Sequence, residues 1–258
     1  MPTSPRSWLY RLYNRRIAAG LEPSGRLPRH VGVITDGNRR WAKEFGTTTE
    51  DGHRAGAKRI VEFIGWCDEL SIEVVTLYVL SKENLQRSDE EVEALGTIIA
   101  DMVDDIAQRD GIEVNLVGDL ALLPPALRDR LEGAVEASTD HARARVRVNI
   151  AAGYGGRQEI VAAVRELLRE SLDEGRSLED AIESVTEDGI SEHLYTKGQP
   201  DPDLIIRSSG EQRLSGFLIW QSAYTEFYFC EAYWPAFRRT DFLRALRAYA
   251  ERNRRYGK

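Results

Sequence analysis

The chain has few of the features that mark a secreted, membrane-spanning or nucleic-acid-binding protein. Its only cysteines, Cys67 and Cys230, are far apart and embedded in apolar patterns, which excludes a disulfide framework or a cysteine-based zinc site and predicts two core thiols. No apolar run approaches the roughly 20 residues that span a bilayer, and residues 1–20 lack the apolar centre and cleavage site of a signal peptide. A cytoplasmic location is therefore expected. Basic residues are outnumbered: 35 Lys and Arg against 42 Asp and Glu leave a net charge of −7. That argues against nucleic acid as a partner and confines anion chemistry to local clusters. No repeat, low-complexity tract or linker divides the body, and 258 residues at 42% hydrophobic content suffice for one substantial core.

Apolar, β-rich runs at 30–35, 72–80, 112–117, 145–151, 203–206 and 226–230 alternate with helical patterns at about 54–70, 88–110, 124–138, 156–174 and 178–185; a last helix begins near Thr240. This order predicts an α/β fold, a single layered domain with a central, mostly parallel six-stranded sheet flanked by helices. Ser88 and Glu91 read as a capping box opening the best-marked helix, whose stripe of Val92, Leu95, Ile99, Met102 and Ile106 belongs to the core. Near the start, Trp8, Leu9, Leu12, Tyr13 and Ile17 oppose Arg11, Arg15 and Arg16. A basic amphipathic helix of this kind either makes peripheral contact with an anionic membrane or docks onto the protein's own body, and docking is preferred. It sets an N-terminal extension, residues 1–26, apart from the body, residues 27–258.

Two strand ends carry the chemistry. In His30–Ala42, HVGVITDGNRRWA, a β-branched run stops at Asp36-Gly37-Asn38 and turns into a basic, aromatic segment. A carboxylate, a flexible turn and several anion donors meet there, as handling a magnesium-bound diphosphate requires. On its own the tripeptide equally suits a plain turn. A second cluster, Arg207–Phe217, RSSGEQRLSGF, again follows an apolar run and gathers glycine, hydroxyls and arginines. Two anion-binding strand ends imply two phosphorylated ligands. Gly153–Gly156, GYGG, misses the spacing of a dinucleotide loop and reads as a tight strand-to-helix turn.

DGNRRWA at 36–42, GHRAG at 52–56, LSKENLQR at 80–87, NIAAGYGGRQEI at 149–160 and RSSGEQRLSGFLIWQSAYTEFYF at 207–229 together resemble the cis-prenyltransferases of the undecaprenyl diphosphate synthase family, in that family's order from Leu27 onward. The resemblance implies a Mg2+-dependent enzyme that condenses isopentenyl diphosphate with an allylic diphosphate and leaves a cis double bond, working as a homodimer. It makes residues 27–258 the catalytic domain, with an apolar tunnel between the sheet and the helices at 54–70 and 88–110. By the same resemblance Asp36 is the magnesium ligand, with Glu226 as second carboxylate. Gly37, Asn38, Arg40 and His53 surround the allylic diphosphate, and Arg39 and Trp41 belong to the substrate-binding set. Arg207, Arg213 and Ser215 cradle isopentenyl diphosphate and Arg87 meets a diphosphate. Ser81 and Asn84 position the isopentenyl group or relay its C2 proton. Arg255-Tyr256-Gly257 resembles an R-x-G motif that reaches the isopentenyl site across a dimer interface, to which Trp220 to Phe229 would contribute.

Departures from the family's pattern carry information as well. Thr49 stands where a diphosphate-binding Arg is common, leaving Arg39, Lys82 or Arg54 to supply the missing donor. Leu80 and Leu85 replace aromatic residues, and Val79 stands where long-chain members carry alanine. Together with Ile98, Ile99 and Met102, these residues are expected to shorten the tunnel, so geranyl diphosphate is the favoured primer and (2Z,6E)-farnesyl diphosphate the favoured product. The alternatives are a medium- or long-chain synthase, a non-catalytic partner subunit of such an enzyme, and a nucleotide-dependent phosphotransferase.

Overall fold

Six strands build one sheet in the computed structural model, which describes residues 27–252. They are β1 (His30–Ile34), β2 (Val74–Ser81), β3 (Ile112–Val117), β4 (Val146–Tyr154), β5 (Leu204–Arg207) and β6 (Glu226–Phe229), in the spatial order β3-β4-β2-β1-β5-β6. Every neighbouring pair is parallel, one step beyond the mostly parallel sheet expected. The sequence explains why. All five residues of β1 and eight of the nine in β4 are buried, as the continuous apolar runs of a sheet covered on both faces require.

The described helices are α1 (Asn38–Glu44), α2 (Thr49–Glu69), α3 (Asp89–Ala107), α4 (Pro125–Ala137), α5 (Gly156–Asp173), α6 (Leu178–Glu183), α7 (Glu187–Ser191) and α8 (Arg239–Glu251). On one face of the sheet, α2, α3, α4 and α8 share the main core. Phe63 sits at its centre, with the rings of Trp234, Phe237 and Phe242 at 5.7, 6.3 and 4.7 Å. A smaller cluster of Ile34, Tyr154, Phe217 and Leu218 with Tyr78 and Tyr195 forms a second core. Cys67 and Cys230 are free and buried, the core thiols expected.

Several boundaries moved for local reasons. α2 begins at Thr49 rather than near 54, because Thr48 and Asp51 form a full capping box ahead of the apolar stripe. At Ser88 only half a box forms: its hydroxyl accepts the Glu91 N–H at 3.4 Å, while the Glu91 carboxylate turns instead to Arg87 at 2.8 Å. α1 and α7 are too short for a periodic signal and escaped the sequence reading. In β2 the register to β4 slips between Tyr78 and Leu80, so Val79 is the extra residue of a β-bulge. The extension 1–26 and Arg255-Tyr256-Gly257 lie outside the described residues. Among the described residues no helix is long and apolar enough to cross a membrane.

Candidate active site

β1 and β5 are neighbours with Ile34 beside Arg207, so the two clusters, whose Asp36 and Arg207 are 171 residues apart in sequence, meet at one sheet edge. Arg207 is only 3% exposed. Its Nη2 donates to Asp36 Oδ2 at 2.8 Å, and its Nη1 donates to Ser215 Oγ at 2.8 Å and to the Arg213 carbonyl. From the first turn of α1, Arg40 donates through Nη2 to Asp36 Oδ1 at 3.1 Å and to Ser209 Oγ at 2.7 Å, and through Nη1 to Glu211 at 3.1 Å. Burial by itself would raise the Asp36 carboxyl, but the hydrogen bond and charge of Arg207, seconded by Arg40, hold it below the usual carboxylate range. Asp36 is thus ionised and aimed.

Its backbone is fixed equally firmly. The Asp36 N–H donates to Ser208 Oγ at 2.9 Å, and the Ser208 hydroxyl and the Trp234 N–H donate to the Asp36 carbonyl at 2.7 and 3.0 Å. Gly37 has φ +100°, and a Cβ there would lie 2.7 Å from the Tyr233 ring, so only glycine makes this turn. Ser209, Ser215 and Leu218 also have positive φ (79°, 50° and 44°). Non-glycine residues held in that region cost about 1–3 kcal/mol each and cluster at functional loops.

A cleft of about 740 Å³ opens over this edge. It is lined by Asp36, Gly37, Asn38, Arg39, Arg40, His53, Val79, Ser81, Asn84, Arg87, Arg207, Arg213 and Ser215, so most residues picked from the sequence converge. Ser81 and Asn84 cap each other across the turn after β2, Asn84 N–H to Ser81 Oγ at 3.2 Å and Ser81 N–H to Asn84 Oδ1 at 3.1 Å. That leaves the Asn84 amide donors for a ligand, while the Ser81 hydroxyl also interacts with the Tyr78 phenol. Arg87 is half-buried; desolvation and the nearby Arg39 lower its affinity for a proton, and Glu91 offsets them. His53 is pushed down to about 4 by burial and then by the charge of Arg87, so its ring is neutral near pH 7, and its buried Nε2 has no partner. Asn38 Oδ1 is likewise buried and unpartnered; a Cβ on Gly56 would come within 2.3 Å of it, so Gly56 makes room for this amide.

Other expectations are corrected. Glu226 stands at the start of β6, level with Leu204 and Val31, and is ion-paired with Arg252. That level is roughly 16 Å down the sheet from Asp36 and two strands, roughly 10 Å, across. Within one chain Glu226 therefore cannot share an ion with Asp36. Trp41 does not line the cleft: it packs on Phe45, ring centroids 4.9 Å apart, across one turn of α1. Leu80, 1% exposed, and Leu85 both pack with the main core, and neither is among the residues that wall the pocket behind Val79. Of the substitutes for the arginine absent at Thr49, Arg39 lines the cleft, whereas Arg54 pairs with Glu50 at 2.7 Å and Lys82 lines a different cavity.

The apolar extension does exist. A small pocket of about 30 Å³ continues behind Val79, between β2, α2 and α3, walled by Ile60, Leu95, Ile98, Ile99 and Met102. Sequence reasoning missed Ser208, Ser209, Glu211 and Glu91, ordinary residue types whose roles follow from chain segments far away. It also missed Glu159. This carboxyl is 1% exposed and accepts hydrogen bonds from the Tyr154 hydroxyl, the Tyr195 N–H (3.1 Å) and Gln221 Nε2 (3.1 Å). Burial pushes it up, against those three donors.

Residues 34–257 match the prenyltransferase family model described as undecaprenyl diphosphate synthase. The chain is 55% identical to isoprenyl transferase 1 of Corynebacterium efficiens, over 97% of both proteins. It is 56% identical to the (2Z,6E)-farnesyl diphosphate synthase of Mycolicibacterium smegmatis, over 96% of this chain and 95% of that protein. With the short-chain Z-isoprenyl diphosphate synthase of Mycobacterium bovis the identity is 54%, over 97% and 96%. The crystal structure of lavandulyl diphosphate synthase from Lavandula x intermedia with dimethylallyl diphosphate superposes with a TM-score of 0.82 at 36% identity, covering 90% of this chain and 99% of that one.

Proposed function

Because the chain belongs to the undecaprenyl diphosphate synthase family and is a prenyltransferase, we propose that it condenses isopentenyl diphosphate with geranyl diphosphate to give a farnesyl-size Z-prenyl diphosphate. The observation that carries the short product is the pocket behind Val79. At about 30 Å³ it has room for about two waters by that measure. A long tail would have to force aside packed side chains, at about 1–3 kcal/mol or more for each intrusion. The relatives' names agree with this size.

Enzymes of this family generally use a divalent metal, and we infer Mg2+ here. The donor set fits a hard ion carried on a diphosphate: one ionised, half-buried carboxylate, Asp36, with phosphate oxygens and water completing the shell. When bound, the ion neutralises charge that develops on the departing diphosphate. Asp36 would hold it, releasing Arg40 or Arg207 to meet phosphate oxygens. Arg39, Arg40, Asn38 and neutral His53 surround the allylic diphosphate, and Arg207, Arg213 and Ser215 hold that of isopentenyl diphosphate. Guanidinium forks suit both tasks because their donors are fixed in a plane. Ser81 and Asn84 donate to the isopentenyl diphosphate and orient its C2 proton; as an amide Asn84 is not the base. A homodimer is the proposed state, consistent with the apolar side chains of Ile219 and Phe229, which are exposed on this chain.

Incubation with Mg2+, labelled isopentenyl diphosphate and dimethylallyl, geranyl or farnesyl diphosphate tests the whole reading. The expected outcome is one condensation on geranyl diphosphate. Predominantly long products would overturn the short-chain reading, and no product with any primer would overturn the enzyme.

A further inference from the structure

A second cavity, about 350 Å³, shares the turn after β2 with the cleft: Lys82 lines it, while Ser81, Glu83 and Asn84 line the cleft. Arg157 in the first turn of α5 and Arg165 about two turns further along the helix belong to its wall. None of these three cations has a hydrogen bond or ion pair with any described residue. By contrast, arginines elsewhere, such as Arg29, Arg130, Arg145 and Arg147, sit on carboxylates. The one carboxylate on the wall, Asp119, caps the following turn by accepting the Ala121 N–H at 3.2 Å. Three cations against one carboxylate give a local charge of +2 in a chain of −7. α5 also opens on Gly155, which supplies no side-chain cap; the Gly156 N–H donates to the Gly216 carbonyl at 2.9 Å, which leaves the N–H groups of Arg157 and Gln158 at the helix start. Unpaired like charges around a concavity repel one another, so nothing in the stability of the fold accounts for the cluster.

We propose that this cavity is a second anion site, taking a diphosphate group on Lys82, Arg157, Arg165 and the N-terminus of α5, separate from the cleft at Asp36. The recognised chemistry is the diphosphate itself, free or as the head of a prenyl chain. Leu122 and Val161, 40% and 49% exposed on the same wall, give an apolar surface on which a short tail can lie. The site is argued from residues that take no part in the cleft and does not depend on the product size proposed above.

Acetylation of Lys82, followed by mass spectrometry of the full chain without divalent metal, tests it with inorganic diphosphate and with geranyl diphosphate. Protection of about tenfold is expected once free ligand stands about ten times above its Kd. It should persist in Arg213→Ala, which weakens the cleft, and vanish in the Arg157→Ala/Arg165→Ala double variant, whose exposed side chains leave the fold intact. Protection by inorganic diphosphate makes the head group sufficient; protection by geranyl diphosphate alone assigns a prenylated ligand. Unchanged Lys82 reactivity with both, loss of protection in Arg213→Ala, or retained protection in the double variant would each overturn the site.

Discussion

Asp36 joins a proposed role in the chemistry to an observed one in the structure. Its carboxylate is the partner of Arg207, which is nearly buried, so truncation to alanine would leave that cation unpaired. Asp36→Ala is therefore expected to destabilise the fold by about 1–3 kcal/mol, a value discounted for the partial exposure of the carboxylate. Asp36→Asn keeps the shape and a hydrogen-bond acceptor, so turnover should fall roughly a hundredfold or more with a much smaller change in urea midpoint. Near-normal turnover of Asp36→Asn at high Mg2+ would remove the carboxylate from the mechanism. Glu159 acts at one remove. It anchors Gln221, and so the chain that follows Ser215 and Phe217, to the start of α5. Glu159→Ala should raise the KM for isopentenyl diphosphate about tenfold with little change in kcat, while Glu159→Gln should restore most of the affinity. Equal loss of kcat and affinity in both variants would contradict a positioning role.

Among the elements, β2 matters most, because its bulge re-aims side chains just before the site. The extra residue lets Val79 and Leu80 both reach the main-core side; Leu80 stays in the core and Val79 walls the pocket. Val79→Ala is accordingly expected to lengthen the product by at least one isoprene unit, whereas Leu80→Ala should mainly cost stability, about 2–5 kcal/mol. Chain-length analysis with a geranyl primer separates the two, and an unchanged product from Val79→Ala would dismiss Val79 as the stop. α2 carries the opposite wall of the pocket and is pinned by Phe63 against Trp234, Phe237 and Phe242. The depth of the pocket is thus set by core packing.

For the molecule as a whole, acid should weaken the fold well above the range in which carboxylates titrate. His30, 1% exposed, has Nδ1 2.7 Å from the Pro200 carbonyl and Nε2 2.8 Å from the Thr76 hydroxyl. Desolvation lowers it to about 4, and burial beside Arg87 lowers His53 to about 4. Unfolded histidine titrates near 6.5, so between about 4 and 6.5 the unfolded chain binds protons that the folded chain refuses. Stability is then fully present above about pH 6.5 and falls as the pH drops toward 4, by about 1.4 kcal/mol per unit for each histidine. Urea midpoints across that window check this, with His30→Gln expected to flatten the slope; a pH-independent midpoint would contradict it. Sedimentation velocity tests the proposed homodimer, and a fully active monomer would overturn it.

Periodicity and turn chemistry in the sequence were enough for the order of strands and helices, for the parallel sheet and for the two polar strand ends proposed to bind anions, because continuous β-branched runs and Asp-Gly-Asn or Arg-Ser-Ser-Gly stops are local signals. The family was legible separately, through the resemblance of whole motifs such as DGNRRWA and RSSGEQRLSGF. What they could not contain is anything fixed by pairing between distant segments. The register of β1 on β5 put Arg207 on Asp36, and the register of β6 on β5 sent Glu226 to the opposite edge. A one-residue slip against β4 separated Val79 from Leu80. Glu91 left its cap for Arg87, and Lys82 turned to a second cavity, because side-chain direction follows from the packed backbone and not from spacing along the chain. Residue types decided which chemistry was possible; tertiary structure, which alone fixes distance and burial, decided which of those residues meet.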